Sequence, residues 1–462
     1  MDYIIVQCTM AWFDATCFAT RMAVQVMKRF SYQMYEMTLL SLAPARAWSD
    51  FTKLMFKNPI NPLTHTTLGK NLAASAELFE RMTRRYGKPA FGLETTTVNG
   101  ERVAVKETVV WERPFCSLIH FERQTTRLRK PQPKLLIVAP MSGHYATLLR
   151  GTVEAFLPTH EVYITDWTDA RRVPLASGNF DLDDYIDYLI SICQVLGKDS
   201  SGTGLHTLGV CQPSVPLIAA VARMSAENDP FTPASMTLMG GPVDTRKSPT
   251  AVNQLAQERG TEWFRRNCLQ TVPFPHPGTG RLVYPGFLQL SGFMAMNFDR
   301  HVDAHKDMFN HLVKGDGDLA EKHRDFYDEY LAVMDLTAEY YLQTVETVFV
   351  DHSLPMGTMM HRDAMVDLTA IRSCGLMTVE GENDDISGVG QTFAAHGLCP
   401  NIPASRKVHY LQKGVGHYGV FNGSRFRSEI APRIADFIAT IEHEAKAPQK
   451  SSAKILKLAA VG

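Results

Sequence analysis

The stretch Gly204-Leu205-His206-Thr207-Leu208-Gly209-Val210-Cys211-Gln212-Pro213-Ser214-Val215-Pro216-Leu217-Ile218-Ala219-Ala220-Val221 constrains this chain more than any other. It reads as a short buried strand, a tight turn from Gly209 to Gln212, and an apolar helix. A reactive side chain at the apex of a strand-turn-helix, with glycine two residues before it, is the pattern of a nucleophile elbow. Here the apex is Cys211. Such a turn crowds the backbone, so the apex is strained and its neighbours must be small or compliant. Gly209 meets that need. Pro213 stands where glycine is usual, and it is tolerated because the first helical turn has N–H groups without intrahelical partners. By itself the stretch fits a buried structural cysteine equally well.

The surrounding pattern supplies the context. Leu135–Ala139 is apolar without alternation, as in a strand covered on both faces of a parallel sheet. His160–Trp167 is the next strand, a helix follows over about 181–196, and the elbow and the strand Ser235–Gly240 come after it. This strand-helix rhythm predicts a mostly parallel, doubly wound α/β sheet. Residues 246–371 break the rhythm with helical patterns at 252–267, 300–313 and 318–349, which reads as an inserted helical cap. The sheet resumes at Leu376–Glu380, followed by a helix near 388–397, a strand at Lys407–Leu411 and a closing helix over 424–443. Ahead of the sheet, amphipathic helices are expected at about 18–57 and 67–86, then a hairpin around Asn99-Gly100. The organisation is thus an N-terminal helical extension (1–90), core (91–245), cap (246–371), core again (372–443) and a flexible tail (444–462).

With 462 residues, 45% hydrophobic and 21% charged, the chain exceeds what one simple core holds. A formal net charge of -1 gives no nucleic-acid signal. The eight cysteines form no C-x-x-C pair, which argues for a reducing compartment without disulfides or structural zinc. No apolar run of about 18 residues predicts a membrane span. The N-terminus is a poor signal peptide, so a cytoplasmic location is expected. His301 and His305 have helical i, i+4 spacing but lack a third ligand, and no metal is expected. Arg81, Arg84, Arg85 and Lys88 read as a solvated face.

A cysteine nucleophile acts as the thiolate and needs a base, which in turn needs an orienting acid. Two loops that follow strands provide both. Gly381-Glu382-Asn383-Asp384-Asp385 offers Asp384, with Asp385 as the alternative. Gly414-Val415-Gly416-His417-Tyr418-Gly419 offers His417, its glycines freeing the backbone to approach the elbow. The order nucleophile, acid, histidine is that of α/β-hydrolases. The backbone N–H of Gln212 would serve an oxyanion hole, and the loop Pro140–Tyr145 a second donor, with Ser142 ahead of Met141.

The chain resembles the intracellular polyhydroxyalkanoate (poly-3-hydroxybutyrate) depolymerases over about residues 32–443. The resemblance rests on Ala74–Arg81, Arg84–Pro89, Val210-Cys211-Gln212-Pro213, Phe326–Tyr330, Thr378–Glu382 and Gly416–Gly419. It implies an α/β-hydrolase fold and the family's catalytic cysteine, aspartate and histidine at Cys211, Asp384 and His417. It also implies a polyester substrate in cytoplasmic storage granules, a granule-surface partner, and hydroxyacid products. No cofactor is implied, though coenzyme A is a conceivable acyl acceptor. A homo-oligomer is compatible with the pattern. About the first 31 residues extend beyond the usual family start. The rival readings are a polyester synthase or acyltransferase using the same cysteine, and a non-catalytic granule coat protein.

Overall fold

The computed structural model describes residues 31–124, 131–198, 203–296 and 298–446. The expected helix start near 18, Cys8, Cys17 and the tail from 447 lie outside the described residues; residues 444–446 belong to the last helix.

Asn99 and Gly100 both take positive φ (52° and 83°), as a two-residue hairpin turn requires. They join β1 (Thr95–Val98) to β2 (Glu101–Arg113), and β3 (Cys116–Arg123) continues antiparallel. Next come β4 (Lys134–Val138), β5 (Glu161–Trp167), β6 (Leu205–Val210), β7 (Ser235–Met239), β8 (Gly375–Gly381) and β9 (Lys407–Gln412). These nine strands form one sheet in the order β1-β2-β3-β5-β4-β6-β7-β8-β9. From β5 to β9 all neighbours are parallel, and β3 meets β5 antiparallel. That order, with a crossed β4/β5 pair and an antiparallel edge of β1 to β3, is the α/β-hydrolase fold. β4, β6, β7 and β8 are buried along their whole length. Each fully buried Leu, Ile or Val contributes roughly 1.5–3 kcal/mol of transfer free energy, so this centre dominates the stability.

The helices fill in around it. α1 (Ala43–Lys57) packs on α2 (Thr67–Thr83) ahead of the sheet. α3 (Leu182–Lys198) packs on α4 (Ser214–Ala226), the elbow helix. Between β7 and β8 lie α5 (Ala251–Asn267), α6 (Phe298–Lys314) and α7 (Gly317–Tyr330). α8 (Ala431–Lys446) closes the chain against β7 and β8. Because the strands run parallel, the loops after β4, β6, β7, β8 and β9 gather at one edge, where open α/β sheets place their sites.

Four local expectations are corrected. The helix expected over 318–349 stops at Tyr330, and Leu336–Thr337 pairs with Val283–Tyr284 instead. Burying Ala332, Met334 and Leu336 in extended backbone outweighs helix propensity there. The helix expected near 388–397 is mostly turn, with only Ala395–Leu398 helical. The second N-terminal helix ends at Thr83, not 86. Arg81, Arg84, Arg85 and Lys88 are not a solvated face. Arg81 and Arg84 both meet Asp328 at 2.6 Å, while Arg85 pairs with Glu36 and Lys88 with Asp166.

The six described cysteines are free. Among the described residues no cluster of three metal-ligating side chains occurs, and His301 bonds the Tyr327 hydroxyl at 2.9 Å. No helix among them is long and apolar enough to cross a membrane.

Candidate active site

Cys211 sits in the left-handed region at φ 67°, the strain expected at the apex of an elbow. Its N–H donates to the Met239 carbonyl (2.7 Å), tying the turn to β7, and its carbonyl accepts from Ser214 N–H (3.1 Å). A Cβ added at Gly209 would come within 3.0 Å of Leu217, and one at Gly241 would overlap the Ser214 hydroxyl at 1.9 Å. The elbow therefore needs a glycine on its own strand and a second on the neighbouring loop. Pro213 fits without strain at φ −57°, ψ −14°, just before α4.

The loops after β8 and β9 bring Asp384 and His417 to this turn. His417 Nδ1 lies 2.8 Å from Asp384 Oδ2, with both side chains buried. The other ring nitrogen is thereby left free to face Cys211. Burial opposes protonation of His417. The negative charge of Cys211 and Asp384, together with their hydrogen bonds, overcomes it and raises the His417 pKa well above the usual value. The ring is thus set to hold a proton beside the sulfur. The carboxylate on the ring is that of Asp384, not of the alternative Asp385. Its Oδ1 accepts the N–H groups of Ile386 (2.9 Å) and Ser387 (2.8 Å), which fixes its direction.

Three supporting residues escaped the sequence reading. Glu380, buried at the end of β8, accepts N–H bonds from Gly390, Thr392 and Phe393 at 2.8–2.9 Å and shapes the acid loop. Thr392 Oγ1 accepts from Gly241 N–H (2.8 Å) and donates to its carbonyl (3.0 Å), locking that loop to β7. Gly240 has φ 55°, and a Cβ there would press on Asp384 Oδ2 and His417 Cε1 at 3.3 Å each. Only Gly240 had a readable signal, a glycine directly after a strand beside the elbow strand.

The loop after β4 stands on the other side of the thiol. The Met141 N–H donates to Gln212 Oε1 at 3.3 Å, so it points at the elbow. Gln212 Nε2 is buried without a partner among the described residues. No acceptor is found for the Gln212 or Ser142 backbone N–H among the described residues. The loop is braced by the insertion: His144 bridges Val333, Met334 N–H donates to the Gly143 carbonyl (2.7 Å), and His144 Nε2 meets the Tyr330 carbonyl (3.1 Å). Burial pushes the His144 pKa down to about 4, so this brace is neutral. Chemically, the arrangement offers a thiol, a base, an orienting carboxylate and nearby N–H donors, the parts of an acyl-transfer site.

Comparison with solved structures returns, among others, three ester-cleaving enzymes. A thermophilic esterase from Thermogutta terrifontis is 14% identical, with 76% of this chain and 97% of that one covered, at a TM-score of 0.37. A carboxylesterase structure from Nitrososphaera gargenis is 12% identical, covering 73% and 100%, at 0.38. A monoacylglycerol lipase from Paleococcus ferrophilus is 13% identical, covering 67% and 96%, at 0.36. The fold assignment stands on the strand order above rather than on these scores. Comparison with curated proteins gives no match. Residues 240–442 match the family described as PHB de-polymerase C-terminus, a span that includes Gly240, Asp384 and His417. That region is therefore similar to the C-terminal part of the PHB de-polymerases, which supports reading the chain as a carboxylic ester hydrolase.

Proposed function

We propose that this chain hydrolyses ester bonds of amorphous poly(3-hydroxybutyrate) or related polyhydroxyalkanoate at cytoplasmic storage granules, through a Cys211-His417-Asp384 triad. The observation that carries the proposal is the buried His417–Asp384 hydrogen bond at the elbow whose apex is Cys211. His417 takes the Cys211 proton, and the thiolate attacks an ester carbonyl carbon. The resulting oxyanion is held by the Gln212 N–H and one N–H of the β4 loop. Met141 is the better second donor than Ser142, because its N–H is aimed at residue 212. Collapse of the intermediate breaks the carbon–oxygen bond. His417 returns the proton to the departing alkoxide, which leaves as the hydroxyl end of the polymer. Water then attacks the thioester, with His417 as base, and releases the hydroxyacid end. Asp384 keeps the ring in the tautomer that accepts from sulfur.

The test is titration of acid released from amorphous polymer particles by the wild type and by Cys211→Ala. Hydrolysis that survives the substitution would remove Cys211 from the mechanism. Adding coenzyme A separates acyl acceptors: hydroxyacyl thioester in place of free acid would make the reaction thiolysis. Polymer formed from hydroxybutyryl-CoA would replace the hydrolase reading with a synthase one.

A further inference from the structure

Exposed large apolar side chains are unevenly distributed. Nearly half of those among the described residues fall between Met34 and Met82. α1 shows Trp48, Phe51 and Met55 at three- and four-residue spacing, and α2 shows Leu68, Leu72 and Phe79 in the same way. These are helical stripes, yet they face solvent: Trp48 is 70% exposed and Leu68 64%. The only buried residue of α1 is Ser49. Apolar patches of this kind mark surfaces of association.

The charges of the same helices identify the occupant. Lys53 pairs with Asp50 at 2.6 Å, Lys57 with Glu77 at 2.5 Å, and Arg81 and Arg84 with Asp328. Lys70 has no ion pair described. A helix that binds anionic lipid presents free Lys and Arg around its apolar face, whereas here Lys53, Lys57, Arg81 and Arg84 are paired with carboxylates of the protein and Arg46 is held by the Thr83 and Leu39 carbonyls. The face is matched to an uncharged surface. It also leads toward the thiol. α7 is tied to α2 through Arg81–Asp328 and Arg324–Glu77. On α7, exposed Phe326 stacks on Tyr330 (5.5 Å, 17°). Tyr330 meets Tyr418 at 6.1 Å, and Tyr418 adjoins His417.

We propose that the α1–α2 face seats the enzyme on the uncharged surface of a water-insoluble aliphatic polyester, with the Phe326–Tyr330–Tyr418 row leading chains to the site. This rests on the polyester reading above. The experiment compares the full-length wild type with Trp48→Glu/Leu68→Glu. It measures sedimentation with amorphous poly(3-hydroxybutyrate) particles, acid release from them, and turnover of soluble p-nitrophenyl butyrate. The expected change is an about tenfold fall in particle binding and particle hydrolysis, with soluble-ester turnover within about twofold. Unchanged particle binding by the variant would overturn the proposal. So would equal wild-type binding to phosphatidylglycerol vesicles, or a dimer that dissociates in the variant while particle binding persists. A wild type that cleaves the soluble ester but neither binds nor digests particles would overturn the polyester reading itself.

Discussion

The loop after β8 and the loop after β4 both border the elbow of Cys211, but different parts of the chain hold them. The acid loop is fixed from within the sheet: Glu380 on β8 gathers three of its N–H groups, and Thr392 fastens it to Gly241. The β4 loop is fixed from outside, by Tyr330, Val333 and Met334 of the insertion. Charge placement therefore depends on the sheet, while donor placement depends on the segment between β7 and β8. Damage to the first should appear in proton handling. Damage to the second should appear in oxyanion stabilisation with the histidine's titration intact.

The largest effect is expected at the carboxylate. Asp384→Asn should lower kcat on the order of 10³–10⁴-fold, because the amide favours the wrong tautomer of His417. NMR titration of the ring should show its pKa falling, since a charge that raises it is gone. A kcat within tenfold of wild type would separate the acid loop from the chemistry. Gly240→Ala comes next. Its Cβ would press on both Asp384 and His417 at a backbone φ that disfavours side chains, and a misplacement of this kind costs on the order of 10² in rate. Unperturbed single-turnover kinetics would show that the pair tolerates displacement.

Glu380→Gln tests the internal anchor. It keeps the shape but removes the charge that accepts the N–H groups. A stability loss of about 1–3 kcal/mol in urea unfolding is expected, with a smaller loss of rate than at Asp384. The external anchor is tested last. His144→Phe should weaken kcat modestly and leave the His417 titration unmoved. It should also change the pH dependence of stability. With its folded pKa near 4 and its unfolded value near 6.5, His144 binds a proton more readily when unfolded. Its contribution is therefore complete above about pH 6.5 and is lost as pH falls toward 4. Thermal unfolding of the variant across that window should be flatter. An unchanged slope would move the effect to other buried histidines such as His160.

Most of the chemistry was legible because it sits where short patterns are informative. Gly209 before Cys211, Gly381 before Asp384 and the glycines around His417 all lie at or just beyond the carboxyl ends of strands. Glu380 was not legible. A glutamate ending a strand looks like any solvent-facing residue, and only the fold of Gly390–Phe393 back over it reveals three donors. Which of Ser142 and Met141 turns its N–H toward the elbow depends on a turn that apolar pattern cannot orient. The helix expected across 331–337 failed for the same reason. Its periodicity is helical, but its buried residues face the β4 loop and the strand Leu282–Tyr284, partners remote in sequence.

The strand order has a consequence for the making of the protein. β8 and β9 join the sheet beside β7, and the loops after them carry Asp384 and His417, the proposed acid and base. During synthesis at roughly 5–20 residues per second, the cysteine leaves the ribosome some tens of seconds before its histidine. Until then the growing chain holds a bare thiol at a bent strand end, next to an unfilled sheet edge. On the proposed triad, activity switches on only when the last two strands dock, and a chain stalled before them is expected to be inert toward esters.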